Sequence, residues 1–247
     1  MRRFFVEEIT PEDGFVIIKG GEFVHLKLVL RLKKGDAASV FNGAGLELSG
    51  IVEAVERDFA KITALRRTEH KNEGPVRITL IQALIKGDKP ELIIQKATEL
   101  GVNAIFFYAA ARSVVQIKDD RLVRWRKVAI EAAKQCGRAI VPAIIMADDM
   151  KAALGRFVSE NKGGGLVKLV FWEGAEKKGV KEVLKGAHGC KSVAALIGPE
   201  GGFTEEEITA ALSGGFVPVG LGPRILRSET AGIAAVAVIQ YESGGMD

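Results

Sequence analysis

The 247-residue sequence has two cysteines, Cys136 and Cys190, and no CxxC pair. A cysteine-based zinc site is thereby excluded, and a disulfide is not expected. Three histidines, His25, His70 and His188, include no helix-neighbour pair, so a histidine metal site or a Ser–His–Asp triad is poorly supplied. The N-terminus, MRRFFVEEIT, carries two arginines with no long apolar run behind them, which does not read as a secretory signal. The longest apolar stretch near the end, residues 231–239, is too short to span a bilayer. The expected setting is cytoplasmic, with neither membrane nor metal involved. Three nucleotide and nucleophile signatures are also missing: GxGxxG after a strand, GxxxxGK followed by Ser or Thr, and GxSxG. Their absence weighs against a Rossmann dinucleotide enzyme, a P-loop NTPase and an α/β hydrolase.

The composition present, 47% hydrophobic and 27% charged, is that of a globular chain with a substantial core. The net charge of +4 permits a nucleic-acid partner without demanding one. That excess is not spread evenly. Residues 1–70 hold eleven bases and eleven acids, and so do residues 151–247, whereas residues 112–138 alone hold eight bases and three acids.

Residues 1 to about 70 read as short strands and turns: 15–18 ending at Gly20-Gly21, then 37–41, 46–55 and 61–65. Leu26, Val29 and Leu30 lie at helical spacing between the first two strands. A small β barrel with one helix is expected over residues 1–72, closed by a polar linker that ends at Gly74-Pro75. Residues 73–247 alternate strand-like runs (76–84, 104–108, 140–145, 166–171, 193–197, 216–219) with helix-like segments (90–100, 119–138, 148–160, 204–212, 230–242). Such alternation predicts a parallel sheet covered on both faces. Asp88 is the expected N-cap of the first of these helices, Pro90 sits in its first turn, and Gly101 follows its last.

Three segments carry chemistry. In AALIGPEGGFTEEEI, residues 194–208, a buried strand runs into glycines 198, 201 and 202 and then into a Thr204–Glu207 capping box. Glycines there let a backbone approach a ligand closely, at the carboxyl end of a strand where α/β folds bind their ligands. In GLGPRILRSETAGIAAVAVIQY, residues 220–241, a loop with Arg224 and Arg227 precedes a helix apolar on nearly all sides, with Ser228 as its expected cap. Arginines between apolar segments must be paired, solvated or ligand-facing. In the third, residues 121–138, helical spacing gives a basic face of Arg121, Arg124, Lys127, Lys134 and Arg138. The opposite face holds Leu122, Trp125, Ala129, Ile130, Ala133 and Cys136; Arg126 falls on the apolar side, where it is expected to reach a partner subunit.

Taken together, MRRFFV, HLKLVLRLKKGD, IIQKATELGV (93–102), EAAKQCGR (131–138), IGPEGGFTEEE (197–207) and LGPRILRSETA (221–231) resemble the RsmE-type methyltransferases, which modify N3 of a uridine in 16S ribosomal RNA. The resemblance implies a PUA-like β-barrel followed by a SPOUT-type α/β domain with a trefoil knot. It also implies S-adenosylmethionine (SAM) as cofactor, the small ribosomal subunit or its RNA as partner, and a homodimer. By motif match the cofactor residues would be Phe171 and Glu173, then Ile197, Gly198, Pro199, Glu200, Gly201 and Gly202. From the last loop would come Leu221, Gly222, Arg224, Ile225, Leu226, Arg227, Glu229, Thr230 and Ala231. Arg2, Arg3 and Arg31 of the first domain would join the basic face in gripping RNA. The chain departs from the family where Ala111 precedes Arg112 in place of an acid, and where Lys134 replaces an acid.

Uridine N3 must lose its proton to accept a methyl group, and the second domain offers few bases. Glu200 is one candidate acceptor; His188 reads better as a surface-loop residue. Arg112, Arg224 and Arg227 are candidates for stabilising the uridine anion, with Arg112 leading and Arg227 and Glu200 also in the expected catalytic set. A SPOUT enzyme acting on a ribose 2′-OH or on tRNA, and a non-catalytic RNA-binding assembly factor, remain alternatives.

Overall fold

The computed structural model describes residues 2–10, 14–69, 73–112, 120–161, 163–174, 178–187 and 189–246, with the Asp120 side chain excepted. His70, His188 and Ser113 lie outside the described residues. The chain forms two compact units: Met1–Asn72 together with Ala133–Val141, and Glu73–Ala132 together with Pro142–Asp247.

In the first unit, strands β1 (Arg3–Phe5), β2 (Val16–Lys19), β3 (Ala37–Phe41), β4 (Glu47–Val55) and β5 (Phe59–Arg67) form one sheet in the order β1-β3-β4-β5-β2. β1 runs parallel to β3, and the remaining pairs are antiparallel. Val16 and Ile18 turn inward with strand period two, joining Phe4, Val40, Val52 and Ile62 in the core. Gly20-Gly21 does not end a strand region in a turn. It opens helix α1 (Gly20–Val24), which continues as a π-helical turn over His25–Val29 and buries Phe23 and Leu26.

The second unit is a seven-stranded, all-parallel sheet. Its strands are β6 (Arg77–Ala83), β7 (Ala104–Tyr108), β8 (Ala143–Ala147), β9 (Leu166–Phe171), β10 (Lys178–Gly179), β11 (Ser192–Ile197) and β12 (Val217–Gly220). They lie in the order β10-β12-β9-β11-β6-β7-β8. The helices are α2 (Lys89–Glu99), α3 (Asp120–Cys136, its last four residues counted with the first unit), α4 (Met150–Glu160), α5 (Val180–Gly186), α6 (Glu205–Ser213) and α7 (Ser228–Glu242). Helices on both faces explain why β6 and β11 are buried along nearly their whole length. No helix among the described residues is long and apolar enough to cross a membrane.

The helix ends correct two expectations. Asp88 occupies the N-cap of α2, yet its side chain makes no capping bond. Ser228 is the first residue of α7 rather than its cap; Arg227 holds that position. The expected capping box is present: Thr204 Oγ1 accepts from Glu207 N, and Thr204 N donates to the Glu207 carboxylate. Thr204→Ala is therefore expected to destabilise the protein by about 1 kcal/mol, measurable by urea denaturation. At the end of α2, Gly101 takes φ +88°, the left-handed conformation that a terminating glycine supplies without strain.

Candidate functional site

β11 lies between β9 and β6, and β12 lies on the far side of β9. The loops that leave β9, β11 and β12 consequently emerge side by side at the carboxyl edge of the sheet. They enclose a cavity of about 640 Å³, within the size range of small-molecule sites. Phe171, Trp172 and Glu173 line it from the first loop, and Ile197 through Phe203 from the second. Val219 through Gly222, Arg224 through Ser228, and Ala231 line it from the third.

Of the residues expected to hold a cofactor, all line this cavity except Glu229 and Thr230. Those two sit in the first turn of α7: Glu229 turns to Lys89, 3.3 Å away, and Thr230 is exposed. Trp172 and Ser228 fall within the expected stretches 171–173 and 221–231 and line the cavity too; Phe203, Val219 and Gly220, which flank the expected loops, were not assigned to the cofactor from sequence because they are apolar or featureless there.

Contacts from β7 and from the start of α7 hold the second loop in place. Tyr108, fully buried at the end of β7, donates its hydroxyl to the Ile197 carbonyl at 2.9 Å, and burial pushes its pKa well above the usual phenol value. Ser228 donates to the Gly198 carbonyl at 2.6 Å. Within the loop, Gly202 takes φ +72° and donates to Pro199 O at 3.0 Å. A Cβ on Gly198 would come within 2.9 Å of the Phe203 ring, so the close approach of loop and ring requires glycine.

Two cations that do not line the cavity flank the second loop. Lys89 Nζ donates to Glu200, and that hydrogen bond holds the Glu200 carboxyl below the usual carboxylate range while raising Lys89. On the other side, exposed Arg112 donates from Nη1 to Gly201 O at 3.0 Å, and the preceding Ala111 N donates to Glu207 at 3.0 Å. The candidate catalytic arginine is thus fixed against the glycine loop and the start of α6. Arg227, the third expected catalytic residue, lines the cavity from the N-cap of α7.

The expected RNA-facing residues divide. Lys127 and Arg31 are exposed, Arg121 is half-buried, and Arg2 is exposed but paired with Asp36 at 3.2 Å. Arg124 pairs with Glu91 at 2.7 Å, and Lys134 with Glu22 at 2.9 Å. Arg3 and Arg138 are corrected: they are only 8% and 2% exposed and belong to the interior. Arg126 is corrected in the other sense, being exposed rather than set on the apolar side of α3.

Residues 72–240 match the RNA methyltransferase domain family, and residues 18–65 match the RNA methyltransferase PUA domain family. A ribosomal RNA small subunit methyltransferase E from Bacillus subtilis is 34% identical, the match covering 98% of this chain and 97% of the relative. A solved structure of the Neisseria gonorrhoeae ribosomal RNA small subunit methyltransferase E, bound to S-adenosyl methionine, superposes with a TM-score of 0.84 at 32% identity, covering 98% and 97% of the two chains. A putative methyltransferase from Legionella pneumophila with bound SAM gives 0.80 at 32% identity, covering 97% and 96%. A one-helix β unit and a parallel α/β unit with a three-loop cavity make this an RNA methyltransferase fold. The chain belongs to the ribosomal RNA small subunit methyltransferase E family.

Proposed function

We propose that the protein transfers a methyl group from SAM to N3 of a uridine in the 16S RNA of the small ribosomal subunit, acting in the cytoplasm as a homodimer. The observation that carries this reading is the cavity built from the three loops that the motifs single out. Its makeup fits the cofactor. Phe171, Ile197, Leu221, Leu226 and Ala231 give apolar walls for a purine and a methionine chain, and the glycine loop gives close backbone approach. Glu173 and Glu200 stand beside Arg224 and Arg227, so the lining offers both signs of charge to a ligand that carries a carboxylate as well as cationic groups. When bound, SAM supplies an electrophilic methyl group on a good leaving group.

The protein's remaining task is to favour the uridine anion and hold it in line. Arg112 suits that task because its position is fixed by Gly201 and Glu207 while its guanidinium remains exposed. Glu200 suits proton abstraction poorly. A general base works best with a pKa near the operating pH, and Lys89 moves the carboxyl the other way. Because that pKa is lowered, Glu200 is ionised throughout the neutral range and its pair with Lys89 is lost only as pH falls through the lowered value. Support for a partner subunit comes from α7, which leaves Ile233, Ala234, Val238 and Tyr241 only partly covered along one face, Tyr241 being 65% exposed.

Primer extension on RNA methylated by the protein tests the chemistry. N3 methylation blocks Watson–Crick pairing, so reverse transcription is expected to stop beside one uridine. Methylated RNA read through without a stop would overturn the N3 assignment.

A further inference from the structure

β6 and β11 are neighbours, with Gln82 opposite Ile197 at their carboxyl ends. Gln82 is fully buried and lies outside the cavity lining. Its side-chain NH2 donates to Ser228 Oγ at 2.8 Å, and Ser228 Oγ donates to the Gly198 carbonyl at 2.6 Å. A hydroxyl has one proton to give, and this order uses it once: Oγ accepts from the amide and donates to the carbonyl. Gly198 opens the second cavity loop, and Ser228 follows the last residue of the third. One buried relay thus ties both loops to the sheet. The helix leaves room for it: on Gly232, one turn further along α7, a Cβ would collide with Gln82 Oε1.

We propose that Gln82 is a positioning residue for the cofactor. Acting through Ser228, it sets the spacing between the Gly198–Gly202 loop and the third loop, and thereby the affinity for SAM. The inference rests on the cofactor reading above and extends it to a side chain that does not line the cavity. The physical basis is preorganisation. A site whose walls are held by buried hydrogen bonds loses less freedom when its ligand binds. Removing Gln82 takes away the buried donor that orients Ser228 Oγ toward Gly198 O, and removing Ser228 takes away the donor to Gly198 O while the Gln82 amide keeps Ala83 O at 3.3 Å; either change loosens the second loop from the third.

The test compares SAM dissociation constants by titration calorimetry, with melting temperatures in parallel, for the full-length protein and the variants Gln82→Met, Ser228→Ala, Ser228→Thr and Gln82→Met/Ser228→Ala. Gln82→Met and Ser228→Ala are each expected to weaken SAM binding about tenfold. The double variant should be little weaker than either single one, because both act on one path. Ser228→Thr, which keeps the hydroxyl, should bind close to wild type. If Gln82→Met does not fold, Gln82→Leu, which likewise carries no donor, takes its place with the same expectation. Wild-type affinity in the Gln82 variant beside a loss in Ser228→Ala would overturn the relay, since Ser228 would then act by touching the cofactor directly. Lowered melting temperatures with unchanged SAM affinity would reduce the network to a structural role and also overturn it. Absence of binding heat from the wild-type protein would instead defeat the cofactor reading itself, and the relay's role with it.

Discussion

Replacing Arg112 with alanine is expected to slow methyl transfer by about 10²- to 10³-fold at saturating SAM, the usual effect of removing one donor aimed at a developing anion. Affinity for SAM is expected to fall by no more than about tenfold, the worth of the single exposed hydrogen bond to Gly201. The two effects separate cleanly because Arg112 contacts the outside of the cofactor loop rather than lining the cavity. Single-turnover kinetics with calorimetry on the same preparation measure both. Arg112→Lys should recover only part of the rate, since an ammonium restores the charge without the planar fork. An Arg112→Ala enzyme that turns over at the wild-type rate would remove Arg112 from the mechanism and leave Arg227 as the next cation to test.

The second large effect concerns stability. Arg3 Nε donates to both Glu47 oxygens at 3.2 Å, and Nη2 approaches Glu47 Oε2 at 2.5 Å. The remaining donors go to the carbonyls of Ala133 (2.8 Å), Lys134 (3.1 Å) and Arg138 (2.8 Å). All five guanidinium N–H groups are spent in this way. Ala133 and Lys134 belong to the last turn of α3; the Ala133 carbonyl also accepts from Gly137 N and Arg138 N, both at 3.1 Å, and a cation at this helix end complements the helix dipole. Arg3→Met leaves the Glu47 carboxylate buried without its guanidinium, and a loss of about 3–5 kcal/mol is expected. Pairing it with Glu47→Leu should recover a good part of that loss, because no charge is then stranded. Urea denaturation followed by circular dichroism provides the measurement. A loss below about 1 kcal/mol in the single variant would mean that the pair is no stronger than an exposed one.

The same residue illustrates what was legible in the sequence and what was not. Helical spacing gathered Arg121, Arg124, Lys127, Lys134 and Arg138 on one face, since rotation about an axis is all that spacing records. It does not record that Glu22, more than a hundred residues away in sequence, meets Lys134, or that Arg138 packs inside. Residues 140–145 read as one strand because they are continuously apolar. The structure begins β8 only at Ala143, and Ile140 and Val141 pair instead with Ala44 and Gly43 of the first unit. An apolar run shared between two units has no internal mark of the division. Strand β1, three residues long, and the β10–α5 stretch are too short for periodicity to detect. By contrast, 104–108, 166–171 and the turn into α6 were legible. There each local signal, whether apolar run, glycine or capping box, agrees with the tertiary role. The cavity was legible in its motifs. Its supports, Gln82, Tyr108 and Lys89, were not, because a buried amide or phenol, or a half-buried amine, far away in sequence announces nothing until strand order brings it alongside.

The most direct test of the central claim is to incubate the protein with SAM and small ribosomal subunits that lack the modification, then map the product by nuclease digestion and mass spectrometry. One added methyl group is expected, on the base of a single uridine of the 16S RNA at N3. A methyl group on a ribose, on another base, or no transfer at all would contradict it.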